Sequence, residues 1–254
     1  MTDLLVEVRD GIGRLTINRP AARNSMPSEM YRDFARALRK FEQDSSIRVI
    51  LITGAGNHFC AGGDVKEFAS TVNFNDDERA AFMGNMIDEA NDFIQLLARV
   101  PQPVVVSARG MAVGGGLPII CAADLAIVSA SCKMIAGQIN IGGIPDACVS
   151  YNLVRLLGVR RAKQFALLGD MIDAQTALDV GLANWMVPDA ELDERTEALL
   201  ARIAKGPRLA LASLPPFDPN KIDNATTPNI FNRVTNQVYE LGSTFKPITV
   251  TAAL

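Results

Sequence analysis

The sequence predicts an α/β fold, and two patterns carry that reading. The runs Val49-Ile50-Leu51-Ile52-Thr53, Val104-Val105-Val106-Ser107-Ala108 and Leu125-Ala126-Ile127-Val128 are continuously apolar rather than alternating, as in strands covered on both faces. Between them lie segments of helical period, notably 78 to 99, where Phe82, Met86, Ala90, Phe93 and Leu97 keep one face. The chain has 254 residues, 48% of them apolar, enough to bury a substantial core without disulfides or metals.

The elements follow in order. Leu4 to Val8 and Arg14 to Asn18 flank Asp10-Gly11-Ile12-Gly13, which reads as an opening hairpin. Residues 27 to 43 predict an amphipathic helix: Pro27 pre-sets its first turn, Glu29 suits the positive end of its dipole, and Met30, Phe34, Leu38 and Phe41 share a face. Residues 148 to 157, 159 to 168, 173 to 180 and 190 to 205 read as further helices, with Asn184 to Val187 as a short strand closed by Pro188. Six of the thirteen prolines fall after Lys205, so the expected organisation is a main domain over 1 to 205 and a distinct segment over 206 to 254.

Composition narrows the chemistry. A net charge of -3 with no Lys/Arg cluster leaves no footprint for nucleic acid or an anionic membrane. The single histidine, His58, rules out a multi-histidine zinc site and argues against a Ser-His-Asp hydrolase, so no metal is expected; in its loop it reads as a surface residue rather than a catalyst. Cys60, Cys121, Cys132 and Cys148 stand apart, as reduced and mostly buried thiols do. The first residues lack a basic or hydrophobic leader and no run approaches about 18 apolar residues, so a cytoplasmic location is expected.

Two glycine-rich segments each follow a predicted strand and precede a predicted helix. They are Phe59-Cys60-Ala61-Gly62-Gly63-Asp64-Val65-Lys66-Glu67 and Arg109-Gly110-Met111-Ala112-Val113-Gly114-Gly115-Gly116-Leu117. Glycine lets backbone approach a ligand closely, and the first N–H groups of a helix favour negative charge; facing each other, two such loops would form a two-donor oxyanion hole. One loop alone could equally be a tight turn. A nucleotide loop is a poor fit, because Phe59 stands where a third glycine would follow Gly54 and Gly56.

Taken together, these segments resemble the crotonase (enoyl-CoA hydratase/isomerase) superfamily. The matching residues are Leu15-Thr16-Ile17-Asn18-Arg19-Pro20 with Asn24, both glycine loops, Asp124, Gly142-Gly143-Ile144-Pro145, Arg155-Leu156-Leu157-Gly158 and Ala174 to Val187, spread over about residues 4 to 205. The resemblance implies a crotonase-like spiral of ββα units, fatty acid metabolism, and trimers or pairs of trimers. It also implies an acyl-CoA thioester as substrate, with coenzyme A entering as part of the substrate and no separate cofactor. It assigns the oxyanion hole to the N–H groups of Gly63 and Gly115. Ala22, Arg23, Ala61, Gly62, Asp64 and Val65 would line the coenzyme A path, with Arg23 open between a phosphate contact and a solvated charge. Met111, Gly114, Pro118, Gln138 and Ile141 would line the acyl end.

Departures from the family pattern point to the reaction. The two glutamates with which family hydratases activate water fall at Pro118 and Gln138, neither of which can accept a proton. Hydration is therefore not expected. Asp146 is the carboxylate that remains in this region, and one base suffices to move a proton between two carbons in a double-bond isomerisation. Asp146 could instead cap the helix that follows. Two alternatives stand beside isomerisation: a dehalogenase- or hydrolase-like reaction with Asp146 as nucleophile, suggested by Asp146-Ala147 and Ser150-Tyr151, and acyl-CoA binding without chemistry.

Residues from about 209 to 254 depart from the family. Val238 to Pro247 is similar to the nucleophile region of penicillin-binding transpeptidases, with Ser243 and Lys246 as Ser-x-x-Lys. The companion Ser-Asp-Asn and Lys-Thr-Gly elements do not follow, so acyl-serine chemistry is not expected there.

Overall fold

The computed structural model describes residues 2–206. In chain order the elements are β1 (Leu4–Arg9), β2 (Ile12–Ile17), α1 (Ser28–Gln43), β3 (Val49–Gly54), α2 (Val65–Ser70) and α3 (Asp76–Arg99). There follow β4 (Val104–Ala108), β5 (Met111–Val113), α4 (Gly116–Ala122), β6 (Leu125–Ser129) and β7 (Lys133–Ile135). The last described elements are α5 (Val149–Leu168), β8 (Ile172–Asp173), α6 (Ala174–Val180), β9 (Trp185–Val187) and α7 (Leu192–Lys205).

The main sheet runs β1-β2-β3-β4-β6-β9. β1 and β2 are antiparallel and every later neighbour is parallel, with Ile52 opposite Val106 and Val106 opposite Ala126. Asp10 and Gly11 turn the hairpin with φ of 55° and 73°, the paired positive values that suit a two-residue loop between twisted strands.

β3 explains why the central strands read as unbroken apolar runs. Ile50 and Ile52 join the core beneath α1 and α3, while Val49 and Leu51 join a second core with Val105, Ile127 and, from α7, Leu192 and Leu200. α1 buries Met30, Phe34, Leu38 and Phe41. Each such side chain contributes roughly 1.5–3 kcal/mol of transfer free energy, enough to hold a helix that would be marginal alone. α3 starts two residues before the predicted boundary because Asn75 and Glu78 form a reciprocal capping box.

One feature falls outside the sequence expectation, and one meets it. β5, β7 and β8 form a second, three-stranded sheet. Its strands are three, three and two residues long, too short for a period to show. α5 is two helices joined at a kink: Gly158, with φ of 73° and ψ of 162°, separates the two helices expected over 148 to 157 and 159 to 168. Of the four thiols, Cys60, Cys121 and Cys132 are buried and Cys148 is half-buried, all free, and no described helix is long and apolar enough to cross a membrane. The segment carrying Ser243 and Lys246 lies outside the described residues.

Candidate active site

β3 and β4 are parallel neighbours, with Thr53 opposite Ser107, so the loops after them leave the same edge of the sheet. That edge, beyond the carboxyl ends of parallel strands, is where open α/β sheets place ligands. A short ladder joins the loops: Cys60 N–H donates to Met111 O and Val113 N–H to Cys60 O, both at 2.9 Å. Phe59 N–H donates to Arg109 O at 2.8 Å, and Gly114 N–H to Ile135 O at 3.4 Å.

Contact at the loop tips depends on glycine. Gly62 has φ of +100° and Gly114 of +49°, and a Cβ at Gly62 would lie 3.6 Å from Gly114 Cα and 3.7 Å from Gly115 N. Gly62 N–H turns back to Cys60 Sγ at 3.4 Å. The N–H groups of Gly63 and Gly115 have no hydrogen-bond partner among the described residues. Two unpaired donors on adjoining loops are available to a ligand oxygen, as an oxyanion hole would require.

The segment after β2 is tied to the first loop. Asn24 is fully buried; its amide donates to Ala55 O at 2.8 Å and His58 O at 2.6 Å, and its Oδ1 accepts from Arg19 N–H at 2.9 Å. Ala61 N–H donates to Arg23 O, Met26 N–H to Gly62 O, and Asp64 N–H to Met26 O, at 2.8 to 3.0 Å. Ala22 and Arg23, both exposed, therefore lie alongside Ala61 to Asp64, bringing the expected coenzyme A segments together. The Asp64 side chain is engaged within the protein: it ion-pairs with Arg19 at 2.8 Å and caps α2 through Lys66 N–H. The Arg19 hydrogen bond holds its carboxyl below the usual range.

His58 has a role that its sequence position does not reveal. Its Nδ1 accepts from Met111 N–H at 3.2 Å, and a Cβ at Gly110 would fall 2.6 Å from that nitrogen. The half-buried ring is thus a latch between the glycine loops rather than a surface residue.

Asp146 and Gln138 form the third part. Gln138 is buried and its Nε2 donates to Asp146 Oδ1 at 2.9 Å, leaving Gln138 Oε1 buried without a partner. Burial pushes the Asp146 carboxyl up, and the Gln138 hydrogen bond partly opposes that. Asp146 does not cap α5 through its side chain; the helix has no side-chain cap, and only the Asp146 carbonyl receives Val149 N–H, at 2.9 Å. Ala147 and Cys148 follow with φ of 46° and 60°. Successive non-glycine residues in the left-handed region carry strain of the kind that collects at functional sites.

The other expected acyl-side residues are spread. Pro118 is buried in the first turn of α4, Met111 and Gly114 are half-buried, and Ile141, at the end of a 3-10 turn, is 78% exposed. Tyr31 was not read as a site residue, because its place beside Met30 on the buried face of α1 looks like core. Its hydroxyl nevertheless lies against Gly115: a Cβ there would fall 3.1 Å from it. A cleft of about 430 Å³ between α1 and α3 shares Tyr31 but is otherwise lined by groups such as Arg32, Arg36 and Arg39, and touches neither loop. The thiols of Cys60 and Cys121 are pushed up to about 12 by burial and are not nucleophiles at neutral pH. Among the described residues no cluster could hold a metal ion.

Comparisons with known proteins identify the family. The chain is 32% identical over 212 residues to 1,2-epoxyphenylacetyl-CoA isomerase of Escherichia coli (strain K12), covering 83% of this chain and 79% of that protein. It is 29% identical over 204 residues to trans-2-decenoyl-[acyl-carrier-protein] isomerase of Streptococcus mutans, covering 80% and 76%. The crystal structure of an enoyl-CoA hydratase from Bacillus anthracis superposes with a TM-score of 0.76 at 28% identity, over 83% of this chain and 81% of that one. The model of the enoyl-CoA hydratase/isomerase family matches residues 7–237, running past the boundary expected near 206. The chain belongs to the enoyl-CoA hydratase/isomerase family, the crotonase superfamily.

Proposed function

We propose that this protein isomerises acyl-CoA thioesters, with Asp146 as the base that moves the proton. The supporting observation is the replacement of both hydratase glutamates by Pro118 and Gln138, next to a partly desolvated carboxylate that a buried amide holds in place. Asp146 removes a proton from a carbon activated by the thioester. The electron pair delocalises onto the carbonyl oxygen, which receives hydrogen bonds from the N–H groups of Gly63 and Gly115. Protonated Asp146 then returns the proton to a different carbon, and the double bond shifts. Acid, base and electrons balance with no second carboxylate and no water.

The desolvated carboxylate suits this task, since a base titrating above the ordinary range takes a carbon-bound proton more readily than an exposed aspartate. The similarity to two proteins named as isomerases supports the same reading. Coenzyme A would run along Ala22, Arg23 and Ala61 to Asp64. Self-association into trimers or pairs of trimers belongs to the same proposal. Exposed apolar residues such as Ile141, Val159 and Leu167 support it, and light scattering would measure it.

The deciding assay incubates the protein with a panel of 3-enoyl-CoA and aryl-CoA thioesters, separates products by chromatography and reads each by mass spectrometry and by the ultraviolet absorption of a double bond conjugated with the thioester. A double-bond shift without mass change is expected, and Asp146→Asn should lower kcat by about 100-fold or more. Gain of 18 mass units would mean hydration, and equal rates in the variant would remove Asp146 from the mechanism.

A further inference from the structure

Tyr31 is an unusual member of the core of α1. It is 8% exposed, and its ring stacks on Phe93 with centroids 6.3 Å apart, beneath the close Phe34–Phe93 pair. Buried tyrosine hydroxyls nearly always find a partner. The Tyr31 hydroxyl makes no hydrogen bond among the described residues and is not one of the fully enclosed unpaired atoms, so it is open to an incoming group. It ends against the second glycine loop, where a Cβ added to Gly115 would lie 3.1 Å from the hydroxyl oxygen and 2.9 Å from Met26 Cε.

The surroundings define what the hydroxyl can do. Burial, and after it the nearby Cys60, Asp146 and Glu67, push the Tyr31 hydroxyl up, so it is a protonated donor at neutral pH. Glu67 is already committed, accepting from Ser28 N–H at 2.8 Å and from the Ser28 hydroxyl. Cys60 lies with its sulfur taken by Gly62 N–H. An O–H protonated at neutral pH, fixed by ring stacking and lacking an internal acceptor, is a donor in search of a ligand oxygen.

We infer that Tyr31 is a catalytic residue whose hydroxyl donates to the thioester oxygen of the acyl-CoA substrate, as a third donor beside the N–H groups of Gly63 and Gly115. The inference rests on the acyl-CoA reading of the glycine loops. A third, side-chain donor makes this oxyanion hole stronger than a pair of amides. It therefore offsets part of the cost of using a lone carboxylate as base.

A chromophoric thioester such as cinnamoyl-CoA tests this directly, because hydrogen bonds to its carbonyl polarise the conjugated system and shift its absorption to the red. With the unaltered protein a red shift on binding is expected. Tyr31→Phe should retain binding, show a smaller shift, and lower kcat by about 10- to 100-fold with KM changed less than about threefold. No shift with the unaltered protein would overturn the oxyanion-hole reading itself. A full shift and an unchanged kcat in Tyr31→Phe would overturn the role of Tyr31 alone.

Should the variant fail to fold, 3-fluorotyrosine can be placed in a chain carrying Tyr151→Phe and Tyr239→Phe, so that Tyr31 gives the one fluorine resonance. That resonance should move on adding cinnamoyl-CoA and not on adding free coenzyme A. A resonance indifferent to the thioester would reject the contact.

Discussion

The glycine loops and the segment carrying Asp146 lie near one another but are built in opposite ways. In the loops the groups proposed to act are backbone N–H donors, and side chains such as Asn24, His58 and Arg19 tie the backbone in place. In the segment from Gly137 to Cys148 the group proposed to act is a side chain, that of Asp146, and the backbone that follows it is left-handed at Ala147 and Cys148. The first arrangement can stabilise the enolate of any thioester. Under the proposed mechanism the second would decide what happens to the proton, and it is where this chain carries Gln138 in place of one of the two expected glutamates.

If that division holds, substitutions in the loops should damage folding first. Gly110→Ala should have the largest effect: a Cβ there would lie 2.2 Å from Asn57 O and 2.6 Å from His58 Nδ1, on a backbone with φ of +59°. Strain and clash together should cost about 3–4 kcal/mol, read as a lowered urea midpoint. An unchanged midpoint would mean that the loops tolerate side chains and are not the rigid half of the comparison. Asn24→Ala comes next. It strips the donor from two carbonyls, Ala55 O and His58 O, and the acceptor from Arg19 N–H, with a loss of about 2–3 kcal/mol. A loss below about 0.5 kcal/mol would show that water replaces the amide without penalty.

The same contrast explains what the sequence disclosed. The central strands were legible because burial on both faces leaves Val49 to Ile52 no polar position. α1 was legible because Phe34 and Leu38 recur at helical spacing. The two loops were legible because backbone that comes close to other backbone requires small residues, while the choice of Gly63 and Gly115 within them rests on the family resemblance. The second sheet was not legible, since two- and three-residue strands carry no period. Nor were the roles of His58 and Tyr31. Each is set by one contact across many residues, His58 to Met111 N–H and Tyr31 to Gly115, and nothing local distinguishes such a side chain from a loop or core residue. Asp146 was singled out through the family resemblance, as the carboxylate left beside two replaced glutamates, and its side chain's freedom from capping appears only in three dimensions, where α5 begins after two left-handed residues.

Gln138→Glu sharpens the second half of the comparison most finely. The Asp146 carboxyl is already raised by burial, with the Gln138 amide pulling the other way. Replacing that amide by a carboxylate removes the donor and adds a like charge, and both changes raise the Asp146 pKa further. The base must be ionised to accept a proton, so activity is present above this pKa and is lost as pH falls through it. In the unaltered protein the acid limb of kcat/KM should therefore lie above the ordinary aspartate value of about 3.9, and in Gln138→Glu it should move up by about one unit or more. Stability follows the same sign. Carboxyls raised in the folded state weaken the fold as pH climbs past their unfolded values, so the variant should match the unaltered protein near pH 4 and fall about 1–2 kcal/mol below it at pH 8. Chemical denaturation at the two pH values measures this. A deficit that is equal at both would mean that packing, rather than charge, couples residue 138 to Asp146.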